Sequence, residues 1–279
     1  MNGALKMKTI KYNGLVVFQK QDIPSFKRMP RVFVDSEACF AFVTNGNFNV
    51  REQTESASLN KNCGVLAKCT NYFYENTSYH NDEGVGEAIG ILLYPEIFQS
   101  LFNFDISQSN YRVDYNIMQV EVDRLLEHYR DSISILLDSP ELADDLLIES
   151  KLREFVILMA KRTNAPSELD FLASMFKPNF AKFEDIIQSN LYADLSVNEL
   201  AALCHMSIST FKRKFKEVYS ETPMKYITKL KINKAKVLLK NNTLRISDIV
   251  FETGFESIST FNRTFKAQTG LSPSEFRLA

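Results

Sequence analysis

The sequence predicts an α+β protein of two domains: an antiparallel β barrel or jelly roll with helices after it, then an all-α domain built around a repeated helix pair. Three observations carry this. Short runs rich in Val, Phe and Tyr, punctuated by Gly and Asn, occupy residues 14–93. Helical spacing of apolar residues takes over after Tyr94. The charge divides as well: residues 1–179 hold 18 basic and 24 acidic side chains, and residues 180–279 hold 15 and 10, so a formal charge of −1 conceals a part at −6 and a part at +5.

In chain order, strands are expected at 14–18, 31–34, 38–43, 48–52, 64–67, 70–75 and 87–93. Turns lie between them at 45–47, 60–62 and 81–84. Pro95 suits the first turn of a short helix ending at Phe102. Ile117, Val120, Leu125 and Leu126 predict a helix over 114–130, and Leu142, Leu146, Leu152, Phe155, Val156 and Met159 one over 141–162. The two long helices leave surface for a dimer beside a small barrel. Asn164 to Ser167 and Lys177 to Asn179 bound a connecting segment, 164–179, whose Phe171, Leu172, Met175 and Phe176 suggest docking. The expected organisation is therefore 1–163, with a barrel over about 10–95 and helices over about 95–163, then the linker, then 180–279.

Composition narrows the class. With 9 Gly, 8 Pro and 22 Phe in 279 residues, collagen-like and disordered classes are excluded. No apolar run exceeds seven residues, and the first 19 residues lack the apolar stretch of a secretory signal, so a cytoplasmic protein is expected. Cys39, Cys63, Cys69 and Cys204 show no CxxC spacing, in keeping with a reducing compartment.

The informative feature is an internal repeat with a period of about 50 residues. Leu195-Ser-Val-Asn-Glu-Leu200 matches Leu244-Arg-Ile-Ser-Asp-Ile249. Ile208-Ser-Thr-Phe211-Lys-Arg213-Lys-Phe215-Lys216 then matches Ile258-Ser-Thr-Phe261-Asn-Arg263-Thr-Phe265-Lys266. Each copy opens with a short helix, with a Ser196/Glu199 capping box in the first. A tight turn follows, His205-Met206 or Gly254-Phe255-Glu256, and Ser207 or Ser257 caps a longer helix. This is the helix-turn-helix plan, whose second helix enters a DNA major groove.

The outer faces of the second helices separate DNA reading from mere packing. Phe211, Phe215 and Val218, and Phe261 and Phe265, fall on the inward stripe. The opposite stripe is Ser209, Lys212, Arg213 and Lys216 in one copy and Ser259, Asn262, Arg263 and Lys266 in the other. A solvated face would mix both signs of charge; these eight are hydrogen-bonding or cationic, the types that pair with base edges and phosphates. Between the copies, residues 223–240 read as one helix capped by Thr222, with Pro223 at its first position and Lys225, Lys229, Lys231, Lys234, Lys236 and Lys240 available to phosphate or solvent. Such a helix is about 26 Å long and spaces two recognition helices near one DNA repeat, about 34 Å.

These motifs, with Gly270-Leu-Ser-Pro273-Ser-Glu-Phe276-Arg277 closing the second copy, resemble the DNA-binding domain of AraC/XylS-type transcription regulators over roughly the last hundred residues. The resemblance implies base contacts at Ser209, Lys212 and Arg213 and at Ser259, Asn262 and Arg263. It also implies RNA polymerase as a partner, activation as the direction of control, and a homodimer through helices 114–130 and 141–162. Two residues depart from the family pattern: Ser220 stands where Gly is usual and Lys231 where Arg is usual. The N-terminal part is similar to the family's cupin-like domain, which implies control by a small molecule or a protein.

The alternative is a cupin-type enzyme fused to a DNA-binding tail. Only His80, His128 and His205 are present, one per region and none at ligand spacing, so no metal, no other cofactor and no catalytic residue is expected. GxSxG, HExxH, P-loop and GxGxxG motifs are absent. A redox sensor among the cysteines is a minor alternative to a structural role.

Overall fold

A computed structural model describes residues 6–24, 28–31, 37–77, 85–240 and 244–278. The chain divides into two compact units, Met1–Phe180 and Ala181–Ala279.

Unit 1 begins with β1 (Met7–Tyr12) and β2 (Leu15–Pro24). Asn13 and Gly14, with φ of 50° and 81°, form the two-residue turn between them, so Gly14 belongs to a turn and not to a strand. Next come β3 (Arg28–Arg31), β4 (Ala38–Asn45), β5 (Phe48–Arg51), β6 (Ser56–Leu59), β7 (Cys63–Ala67), β8 (Tyr72–Asn76) and β9 (Val85–Leu93). The predicted strand 31–34 lies outside the described residues beyond Arg31, as do His80 and the turn 81–84.

The segment 114–130 is not one helix. Residues 117–121 form β10 (Ile117–Glu121), paired antiparallel with β7, and α2 (Arg124–Asp138) starts only after Asp123, whose carboxylate accepts from the Leu125 and Leu126 amides. The strand wins because Ile117 and Val120 find buried partners on β7 that a local helix would forgo. The helix expected at 141–162 begins later, at α3 (Asp145–Arg162), where Asp144 caps it. The short helix α1 (Pro95–Phe102) has Pro95 in its first turn as expected.

The strands form two antiparallel sheets, ordered β1-β2-β9-β4-β7-β10 and β3-β8-β5-β6, in place of a single closed barrel. Strand alternation divides β4 between two cores. Phe40 and Phe42 face the helices, where Phe155 of α3 lies 5.5 Å from Phe40 and Tyr129 of α2 lies 6.4 Å from Phe42 between ring centroids. Cys39 and Val43 face the other sheet, meeting Phe48, Val50 and Tyr72. Each such fully buried aromatic contributes about 1.5–3 kcal/mol of transfer free energy.

The segment 164–179 contains α4 (Glu168–Met175), with Phe171, Leu172 and Met175 buried in the helix-side core. Polar contacts then fix the residues after it. Lys68, fully buried, donates to the carbonyls of Val113 and Lys177, and Asn116 bonds both the amide and the carbonyl of Asn179. Glu52 accepts from Asn116 and Thr70, and burial pushes its carboxyl up to about 7.

Unit 2 is helical: α5 (Phe183–Asn190), α6 (Val197–Leu203), α7 (Ile208–Tyr219), α8 (Pro223–Leu239), α9 (Ile246–Glu252), α10 (Ile258–Thr269) and α11 (Pro273–Leu278). One aromatic core joins Phe183, Phe211, Phe215, Tyr219 and Tyr226. The other joins Ile232, Ala235 and Leu239 of α8 with Ile249, Phe255, Phe261 and Phe265, and Phe276 packs against it.

Candidate nucleic-acid interface

The two helix-turn-helix units are built alike from the turn onward. Ser196 and Glu199 make the predicted capping box on α6. Both turns are of Schellman type: the Met206 amide reaches the Ala201 carbonyl and the His205 amide that of Ala202, while Phe255 reaches Val250 and Gly254 reaches Phe251. His205 and Gly254, the left-handed residues of these turns, have φ of 53° and 72°. Ser207 and Ser257 then accept from the amides of Thr210 and Thr260, starting α7 and α10. Each recognition helix ends on a second left-handed residue, Ser220 or Gly270.

Residues 208–220 and 258–270 follow the same order of buried, half-buried and exposed positions throughout. Phe211, Phe215, Phe261 and Phe265 are fully buried. Ser209, Lys212, Arg213 and Lys216, and Ser259, Asn262, Arg263 and Lys266, are all exposed. Among the described residues none of their five cationic side chains is in a salt bridge. Each helix thus presents charge and hydrogen-bonding groups to solvent from a rigid aromatic base, the arrangement that DNA base reading uses.

Two details differ from the sequence expectation, and a third was not part of it. Val218 is exposed, and Tyr219 takes the inward place on Phe215 with ring centroids 4.6 Å apart. Ile208 and Ile258 are exposed at the first turn of each recognition helix, beside the polar stripe; their identical place in the repeat and off the Phe stripe was the available signal. Lys231 and Lys234 of α8 are not directed to solvent or phosphate, since both donate to backbone carbonyls within unit 2.

Unit 1 holds a second candidate site. A mostly apolar cavity lies between the sheets, lined by Val43, Phe48, Val50, Leu92 and Tyr72, with Gln19 and Gln21 as its amides. The Tyr72 hydroxyl and the Cys39 thiol are 3.1 Å apart in its wall. On α2 and α3, Leu125, Ile135 and Leu146 are more than half exposed. No cluster of three or more His, Cys, Asp or Glu able to hold a metal occurs among the described residues, and no described helix is long and apolar enough to cross a membrane.

Comparison with known families matches residues 200–279 to a helix-turn-helix domain and residues 38–171 to the ExsA N-terminal regulatory domain. The virulence regulon transcriptional activator VirF of Yersinia enterocolitica is 27% identical over 133 residues, covering 48% of this chain and 49% of VirF. The HTH-type transcriptional regulator ExsA of Pseudomonas aeruginosa is 26% identical over 127 residues, 46% of each chain. The chain spans about half the length of these curated relatives. Among solved structures, ToxT from Vibrio cholerae O395 aligns over 99% of this chain and 97% of its own at 13% identity, with a TM-score of 0.38.

Proposed function

The chain carries an AraC-type helix-turn-helix domain, and from that premise we propose that it is a sequence-specific DNA-binding transcription regulator that inserts α7 and α10 into consecutive major-groove segments. The observation that carries this reading is the repeated exposed stripe on two recognition helices whose buried faces match position for position. Ser209, Lys212, Arg213 and Lys216 read or grip one segment, and Ser259, Asn262, Arg263 and Lys266 the next. Activation is the direction favoured, because relatives such as VirF are named as activators. RNA polymerase is the partner such activation requires.

Unit 1 supplies the regulation. Its match to a regulatory domain and the cavity between its sheets support control by a small molecule or a protein partner. Leu125, Ile135 and Leu146 supply apolar surface for a homodimer through α2 and α3. The relatives named above are transcription regulators, which speaks against the enzyme alternative, and a cytoplasmic location follows from the partner proposed.

Selection of bound fragments from random DNA by the purified full chain tests the reading. A defined motif in two parts is expected. Arg213→Ala and Arg263→Ala should each weaken binding to the selected site by about 1–3 kcal/mol and relax base preference at one position. Recovery of fragments with no common sequence would overturn the assignment.

A further inference from the structure

Helix α8 does more than separate the recognition helices. At its middle, the Lys231 ammonium donates to the carbonyl of Gly254, in the turn of the second helix-turn-helix, and to that of Ala193, 3.5 Å away in the turn between α5 and α6. The Phe255 ring lies 5.7 Å from the same nitrogen. Nearly one turn further along, Lys234 repeats the pattern, with its ammonium 4.1 Å from the Tyr192 ring centroid and bonded to the Glu252 carbonyl at 2.9 Å. The two turns also touch directly: a Cβ on Gly254 would stand 2.2 Å from the Tyr192 carbonyl oxygen. Residues 192–193 lead into the first helix-turn-helix, and residues 252–255 are the end of α9 and the turn of the second, so α8 carries a junction between the halves.

Placing an ammonium there has a cost, because burial disfavours its charged form and pulls the Lys231 pKa down, while Asp194 acts the other way. A lysine serving only solubility or phosphate contact would keep its head in water. The two carbonyls offset the cost, and they belong to opposite halves of the unit. Each helix pair packs on α8 through its own core, Tyr226 in the first and Ile232, Ala235 and Leu239 in the second, and α8 by itself leaves one pair able to swing relative to the other by the flexing of a single helix. A second tie away from the axis of α8 removes the swing.

We propose that Lys231, seconded by Lys234, is a positioning residue that sets the separation and twist of the two recognition helices, so that the protein discriminates the spacing of its two DNA half-sites. The inference rests on the reading of α7 and α10 as base-reading helices. One inserted base pair moves a half-site by about 3.4 Å and turns it by roughly a tenth of a revolution, which a rigid pair of helices cannot follow and a loosened pair can.

The test uses the full chain and a two-part site obtained by selection, together with versions carrying one base pair inserted or deleted between the parts, read by fluorescence anisotropy over a salt series. Wild type should lose about tenfold or more in affinity for either altered spacing, a penalty comparable to a mismatched base pair. Lys231→Met should lose affinity at native spacing and shrink the spacing penalty to roughly threefold or less, with the salt slope unchanged because no phosphate contact is removed. Lys231→Arg, able to reach both carbonyls, should restore discrimination. If Lys231→Met fails to fold by circular dichroism, Lys234→Met in the same series decides, and an undiminished spacing penalty there overturns the proposal. Equal loss at every spacing, or a salt slope lowered by about one, would likewise overturn it and assign Lys231 to phosphate. Absence of any sequence-selective site for wild type would instead remove the DNA-reading function on which the inference stands.

Discussion

The two helix-turn-helix units reach one geometry by different residues. In the first, left-handed positions are filled by His205 and Ser220; in the second, by Gly254 and Gly270. The first has a capping box at its opening helix, whereas Arg245 begins α9 with no side-chain cap. What both copies share is the backbone path, the serine cap of the recognition helix and the paired phenylalanines beneath it. The glycines are not equivalent to each other either. A side chain at Gly270 would meet nothing within 4 Å, whereas one at Gly254 would run into the Tyr192 carbonyl. Left-handed backbone is thus a requirement of the motif, and glycine a requirement of close approach only at Gly254.

The largest effect that bears on this comparison comes from the shared base. Phe215→Ala and Phe265→Ala each empty a fully buried site and should each destabilise the protein by about 3–5 kcal/mol in urea unfolding. A loss in one copy several times that in the other would mean that their matching burial does not reflect matching cores. Next in size is the contrast between glycines. Gly270→Ala should cost about 0.5–1 kcal/mol, the left-handed penalty of about 1–2 kcal/mol less the freedom that alanine removes from the unfolded chain. Gly254→Ala adds the displacement of a backbone carbonyl and should cost at least twice as much. Equal losses would show that the Tyr192 turn yields freely, and that the asymmetry between the copies is one of composition only.

The same contrast explains what was legible in the sequence. Helical period, serine caps and the repeat itself are local, so α6, α7, α9 and α10 and the exposure of all eight stripe residues could be read from neighbours in the chain. Strand β10 could not: Ile117 and Val120 stand three apart, a spacing that fits one helix face, and only pairing with β7, some fifty residues earlier, decides otherwise. Strands β1 and β6 escaped for a related reason, since only Ile10 and Tyr12 of MKTIKY and only Leu59 of SASL become buried, and pairing with β2 and β5 decides the rest. Lys231 shows the limit most clearly. Among the lysines of α8 nothing local sets it apart, and its role is visible only through carbonyls 38 and 23 residues away in sequence.

Ser220 supplies the smallest and most discriminating change. It ends α7 with φ of 57° and ψ of 9°, its amide bonded to the Lys216 carbonyl at 2.9 Å, as that of Gly270 is bonded to Lys266. Its side chain is exposed, so Ser220→Gly removes little packing. Release of left-handed strain favours the variant by about 1–2 kcal/mol, and the greater freedom of glycine in the unfolded chain opposes it by about 0.5–1 kcal/mol. The expected net is a gain of about 0.5–1 kcal/mol, seen as a rise of a few degrees in Tm, with affinity for DNA unchanged because the backbone already follows the path that glycine favours. A fall in Tm would mean that the Ser220 hydroxyl holds the turn, and the two copies would then close their recognition helices by different physics and not merely with different residues.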